Sequence, residues 1–174
     1  MLHGTRIAMT VALFSLGLGG CGFHPLYGPT ESGANLRDVM KQVQVSTIPT
    51  RVGQRVRNEL LFGMTGGGDQ LPPVYRLDIA IRETVQNTLV TNTGSVTGQA
   101  LLLTAEFRLI RIKDNETVFK GESSADAAYD LLGSTGAVSV YGDTRASIDA
   151  ENRAARSLAD NLKTRLAAYL SHSA

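Results

Sequence analysis

Apolar residues recur along this chain in three rhythms, and each predicts a different kind of element. Ile7 to Leu18 (IAMTVALFSLGL) is a predominantly apolar run of twelve without a charge, with Arg6 just ahead of it. That run suits the hydrophobic region of a secretion signal and falls short of the roughly 20 residues a spanning helix needs. Val52, Val56, Leu60 and Met64 recur every fourth residue, with Arg51, Arg55 and Glu59 beside them, so Arg51 to Met64 reads as one amphipathic helix. Period two dominates elsewhere. Val43 and Val45 open a strand that ends before Pro49, and Tyr75, Leu77, Ile79 and Ile81 alternate with Arg76, Asp78, Ala80 and Arg82. In Leu101 to Ile110, Leu101, Leu103, Ala105, Phe107 and Leu109 share one face, and the turn-forming NTGSVTG precedes the run. IKDNETVFKG predicts a hairpin at Asp114 and Asn115, whose second strand runs from Glu116 towards Ala127 or Tyr129. Leu131 to Gly142, rich in Gly and Ser, reads as a loop. After it Ser147 is the expected cap of a long helix with Asp149 and Glu151 in its first turn and Ala155, Leu158, Leu162, Leu166 and Tyr169 as its apolar stripe.

Strand, helix, three strands, helix is therefore the predicted order. Two amphipathic helices need an apolar surface to cover, and a half-apolar sheet supplies one. The expected fold is α+β, a two-layer sandwich with both helices on one face of a four-stranded mixed sheet. One detail does not close. With a two-residue turn at Asp114 and Asn115, Ile110 faces Phe119 and Ile112 faces Thr117, on the side opposite Phe107 and Leu109. Either a bulge switches the register there, or another protein covers the second face.

The single cysteine changes the picture most. It permits no intrachain disulfide. Cys21 stands behind Leu18, Gly19 and Gly20, and L-G-G-C after a hydrophobic region resembles the lipobox of bacterial lipoproteins. That resemblance implies a thioether to diacylglycerol at Cys21, cleavage before it, and acylation of the new amino group, an effectively permanent anchor. Gly22 follows, where Asp resembles an inner-membrane retention signal, so the outer membrane is the expected location, on its periplasmic side. The expected organisation is a signal peptide over 1–20, a lipidated cysteine with an extended tether over 21–40, and an α+β domain over 41–174. Pro25 and Pro29 favour extended backbone in the tether, whose Phe23, Leu26 and Tyr27 suit a half-wet surface.

Charge adds little. The formal net charge is +1, and removal of residues 1–20 takes away Arg6 and no acidic residue, leaving 16 basic against 16 acidic residues. Nothing in this balance points to nucleic acid. Candidate chemistry is sparse too. The histidines are His3, His24 and His172, in the leader, the tether and the C-terminal end, so neither a Ser-His-Asp arrangement nor a His-rich metal site is easily built, and no cofactor is expected. TGGGDQLPP lacks the lysine and hydroxyl residue that a phosphate loop places after its last glycine. Glu83, Glu106 and Glu122 lie on predicted strands with nothing to mark them above ordinary cross-strand partners. The chain reads as a binding or structural protein, not an enzyme.

The opening CGFHPLYG, the element order and the closing ENRAARSLADNLKTRLAAYL together resemble the LptE family of lipopolysaccharide-assembly lipoproteins, in the form found among alphaproteobacteria. The resemblance covers most of the mature chain. It implies a non-enzymatic partner of the outer-membrane β-barrel LptD, plugging its lumen, assisting its assembly and binding lipopolysaccharide in transit. Ile110, Ile112 and Phe119 are then the expected partner interface. Arg82, Arg108, Arg111, Lys113 and Lys120 are the expected lipopolysaccharide contacts, because cations form strong charge-assisted hydrogen bonds to lipid A phosphates. The turn TNTGSVTG carries no charge, whereas family members can place basic residues there. Two other classes fit a lipobox: an auxiliary lipoprotein of a lipid-transporting ABC system, and a hydrolase using carboxylates.

Overall fold

The computed structural model describes residues 35–131 and 137–173. The signal peptide, Cys21 and the aromatic tether residues lie outside the described residues. Seven elements follow in order: α1 (Leu36–Lys41), β1 (Val43–Val45), α2 (Arg51–Thr65), β2 (Tyr75–Val90), β3 (Val96–Arg111), β4 (Glu116–Asp130) and α3 (Ala137–Ser173). The strands form one sheet in sequence order, with β1 parallel to β2 and the remaining pairs antiparallel. The two-layer α+β sandwich with a mixed four-stranded sheet is as expected, with a third, short helix added.

That helix corrects the expected tether. Asn35 accepts a hydrogen bond from the Arg37 N–H through its side chain, which caps α1, and Leu36, Val39 and Met40 are buried in the core. Residues 36–40 are thus part of the domain and helical, not extended. β1 is shorter than the sequence suggests. After Ser46 donates its N–H to the Leu77 carbonyl, the chain leaves the sheet, buries Ile48 and enters α2 through Pro49 and Thr50. Thr50 has φ 74° and ψ 158°, a region that is costly for a β-branched residue. Its hydroxyl accepts from the Gly53 N–H and donates to Glu83, which ties the helix start to β2.

α2 and α3 lie side by side and run parallel. Arg51 pairs with Glu151, Arg156 reaches Glu59 at 3.9 Å, and Gly63 packs against the Lys163 stem. Leu158, Leu162, Leu166 and Leu170 of α3 are fully buried against Leu103, Phe107 and Leu109 of the sheet and Leu60 of α2, each worth about 1.5–3 kcal/mol relative to exposure. The expected cap at Ser147 is not the start of this helix. Helix begins at Ala137, and Ser147 sits within it, donating to the Thr144 carbonyl.

The hairpin between β3 and β4 resolves by a bulge. Leu109 pairs with Phe119 and Ile110 with Thr117, so Val118 has no partner across the ladder. The slip returns Phe119 to the helix side. There its ring stacks on Tyr169 at 4.6 Å and 2°, and meets Phe107 edge-on at 5.4 Å. Gly121 completes the fit, since a Cβ there would come within 3.0 Å of the Phe107 ring.

The two edges of the sheet differ. Along β4, the side chains of Arg153, Asn161 and Arg165 from α3 donate to the carbonyls of Ala128, Ser124 and Glu122 at 2.8, 3.0 and 2.6 Å. Beyond β1, the edge of β2 has no such cover among the described residues.

Candidate functional site

α2 and α3 cover one face of the sheet, so the even-numbered residues of β2 and β3, with Thr117 before the bulge and the even-numbered residues from Lys120 onwards in β4, form a second face open to the surroundings. The antiparallel registers set these residues in rows. Arg76, Ile110 and Thr117 form the row nearest the β3–β4 turn. Asp78, Arg108 and Lys120 come next, followed by Ala80, Glu106 and Glu122, and then Arg82, Thr104 and Ser124. A shallow concavity over these rows is lined by Asp78, Ala80, Glu106, Arg108, Lys120 and Glu122.

Like charges stand opposite one another in the two central rows: Arg108 beside Lys120, and Glu106 beside Glu122. Directly opposed like charges cost up to about 1 kcal/mol per pair. Asp78 offsets none of the Arg108 charge by direct contact; it accepts from the Ser46 hydroxyl at 2.6 Å and pairs with Arg76 at 3.4 Å. Among the described residues, Arg82, Arg108 and Lys120 make no side-chain ion pair within 4.0 Å, and all three are exposed. A ligand with anionic groups would meet two adjacent cations, Arg108 and Lys120, whose charge is not already satisfied, while Arg82 lies two rows further along, beyond Glu106 and Glu122. The acidic row beside them would repel a ligand that strays one row along the strands.

The five basic residues expected from sequence therefore separate. Arg82, Arg108 and Lys120 share the open face. Lys113 stands apart, exposed on the turn between β3 and β4. Arg111 belongs to neither group: it pairs with Asp114 at 2.8 Å and Glu116 at 3.1 Å, on the side of the sheet shared with Tyr75. The hydrogen bond from Arg111 is the main reason that the Asp114 carboxyl is held below the ordinary carboxylate range, and the same contact raises the guanidinium.

The three expected interface residues separate as well. Ile110 is on the open face but only 7% exposed. Ile112 is 43% exposed, with its N–H bonded to the Val74 carbonyl at the base of the sheet. Phe119 is in the core layer, because the bulge turns it inwards. What sequence reasoning missed is the acidic row and the bare edge of β2; the signal for the latter was the uncharged TVQNTLV over Thr84–Val90.

Among the described residues no three His, Cys, Asp or Glu side chains gather where a metal could be held. No described helix is long and apolar enough to cross a membrane.

Comparison with known proteins adds a family. Residues 40–166 match the family described as LptE, lipopolysaccharide-assembly. No curated protein matches. Solved structures show the same fold at low identity. A lipoprotein from Caulobacter crescentus is 19% identical, with 78% of this chain and 96% of that chain covered and a TM-score of 0.61. The rare lipoprotein B from Shewanella oneidensis is 14% identical over 75% and 99% of the two chains, with a TM-score of 0.50. A minor lipoprotein from Acinetobacter baumannii is 15% identical over 74% and 92%, also at 0.50.

Proposed function

Because this chain belongs to the LptE family of lipopolysaccharide-assembly proteins, we propose that it is an outer-membrane lipoprotein anchored through Cys21 that plugs an LptD-type β-barrel, helps it assemble, and contacts lipopolysaccharide in transit. The role is non-enzymatic: the chain supplies a surface and an anchor. Its main support is the one-sidedness of the sandwich. One face of the sheet is sealed by α2 and α3, and the other carries Arg82, Arg108 and Lys120, which have no ion-pair partners among the described residues. Guanidinium and ammonium groups bind phosphate through charge-assisted hydrogen bonds about twice as strong as neutral ones, and lipid A presents phosphates. Enclosure within a barrel lumen would lower the local dielectric around that face and strengthen the same contacts. Arg111 and Phe119 have no part in this reading, because ion pairs and the core occupy them.

Pull-down of the full acylated chain from detergent-solubilised outer membrane tests the proposal. A stoichiometric β-barrel is the expected companion. Inner-membrane transport components in its place would favour an auxiliary lipoprotein of a lipid-transporting ABC system, and neither would overturn both.

A further inference from the structure

Backbone polar groups at a sheet edge want partners, and this sheet treats its two edges differently. The β4 edge is closed by α3 through Arg153, Asn161 and Arg165. Among the described residues the β2 edge is partnered only at its start, where β1 pairs with Tyr75, Arg76 and Leu77. Leu77 directs its carbonyl to Ser46, so odd-numbered residues of β2 point their N–H and C=O away from β3. Above Leu77 that outward set is Ile79, Ile81, Glu83, Val85 and Asn87, up to the irregularity after Asn87. Beyond the Ser46–Leu77 bond no described backbone group pairs with this edge, although the Thr50 hydroxyl reaches the Glu83 carboxylate as the chain enters α2.

Natural edges are usually guarded by lysine, proline, bulges or a covering helix. Between Ile79 and Asn87 the charged residues are Arg82 and Glu83, one of each sign; from there Thr84–Val90 (TVQNTLV) has no charge, no proline and no glycine, and Val85 is 54% exposed. Up to Asn87 its backbone is held in register by the antiparallel ladder to β3, and the irregularity begins only beyond that residue. We infer that the β2 edge from Ile79 to Asn87 is a strand-addition site, which takes an extended, uncharged segment of the partner protein as a fifth strand continuing the line of β1. The inference rests on the reading above in taking that partner to be the barrel. Strands within a closed barrel are all paired, so the donor is a loop or terminal segment that projects into the lumen. Main-chain hydrogen bonds supply the affinity, and the neutral Thr84–Val90 stretch selects a neutral segment over a charged one.

Proline at Val85 is the direct test. It deletes an outward N–H while leaving the inward hydrogen bonds of Thr84 and Gln86 to β3 in place, a position where edge strands accept proline. In the full acylated chain, Val85→Pro should lower barrel recovery in pull-down by about tenfold or more, while Val85→Thr recovers it like the wild type. Amide exchange on the wild-type complex gives a second readout that needs no variant: Glu83, Val85 and Asn87 should slow relative to the free chain. Undiminished recovery with a folded Val85→Pro, or unchanged exchange at those three amides in a complex that does form, overturns the inference and leaves the barrel reading standing. A wild-type chain that recovers no barrel overturns both.

Discussion

Phe119→Ala is the sharpest probe of the register between β3 and β4. In the bulged ladder the ring is half-buried, stacked on Tyr169 at 4.6 Å and set edge-on to Phe107 at 5.4 Å. Full truncation of a buried Phe costs about 3–5 kcal/mol, and partial exposure trims the transfer part of that. Two aromatic pairs add back about 0.5–1.5 kcal/mol each beyond area, so a net loss of about 2–4 kcal/mol is expected. For a domain of this size that is roughly 2–4 °C in Tm for each kcal/mol, or about 5–15 °C. Urea unfolding followed by circular dichroism would measure the free energy, with Ile112→Ala as the control. Ile112 is substantially exposed, and its truncation should cost less than about 0.5 kcal/mol. Without the bulge the ranking changes: Phe119 would lie on the open face, and its loss would be as mild as that of Ile112. Equal, small effects of the two substitutions would refute the register.

Two further outcomes follow from charged groups. Asp114 has its folded-state pKa lowered, chiefly by the hydrogen bond from Arg111, so it stabilises the fold above its unfolded value of about 3.9 and loses that contribution as pH falls through the folded value. Asp114→Asn should therefore weaken the protein slightly at neutral pH, with the difference from wild type closing in acid; urea melts that differ by the same amount at every pH would show that the pair does not form. Changing Arg82, Arg108 and Lys120 together to Gln should weaken binding of purified protein to lipopolysaccharide, more at low than at physiological salt, with Tm nearly unchanged, because these side chains make no ion pairs within the described chain. Unaltered binding by calorimetry would remove these cations from the site.

Burial governed what the sequence could reveal. The period-four stripe from Val52 to Met64 and the alternation from Leu101 to Leu109 were legible because each repeats a buried position at the period of its element. The upper half of β2 was not, since Arg82 to Val90 is exposed on both faces and gives no alternation to read. α1 carries its own signals, an Asn cap and apolar residues at i, i+3 and i+4, but six residues are too short a run to stand out from the Gly- and Pro-rich stretch ahead of them. The early start of α3 was hidden by glycines and serines that favour turns. The bulge illustrates a different limit. Turn chemistry at Asp114 and Asn115 predicts a tight register, and the drive to bury Phe119 beside Tyr169 overrides it. For the open face, residue type identified the cations, but only the register could show that Arg108 stands beside Lys120 while Arg111 is claimed by Asp114 and Glu116.

The length of β2 and β3 sets a scale for the whole molecule. Sixteen residues of strand cover about 50 Å, and the 37 residues of α3 about 55 Å. The chain enters the domain at Asn35, at the same end as the β3–β4 turn, while the turn between β2 and β3 lies at the far end. A bilayer with its headgroups is about 40–45 Å thick. A domain held upright in a pore with its base near the inner headgroups would therefore bring Thr91 to Ser95 level with the opposite surface. In such a pore the sandwich would act as a ruler, graded in steps of about 7 Å for each pair of residues added to or removed from both strands of the hairpin.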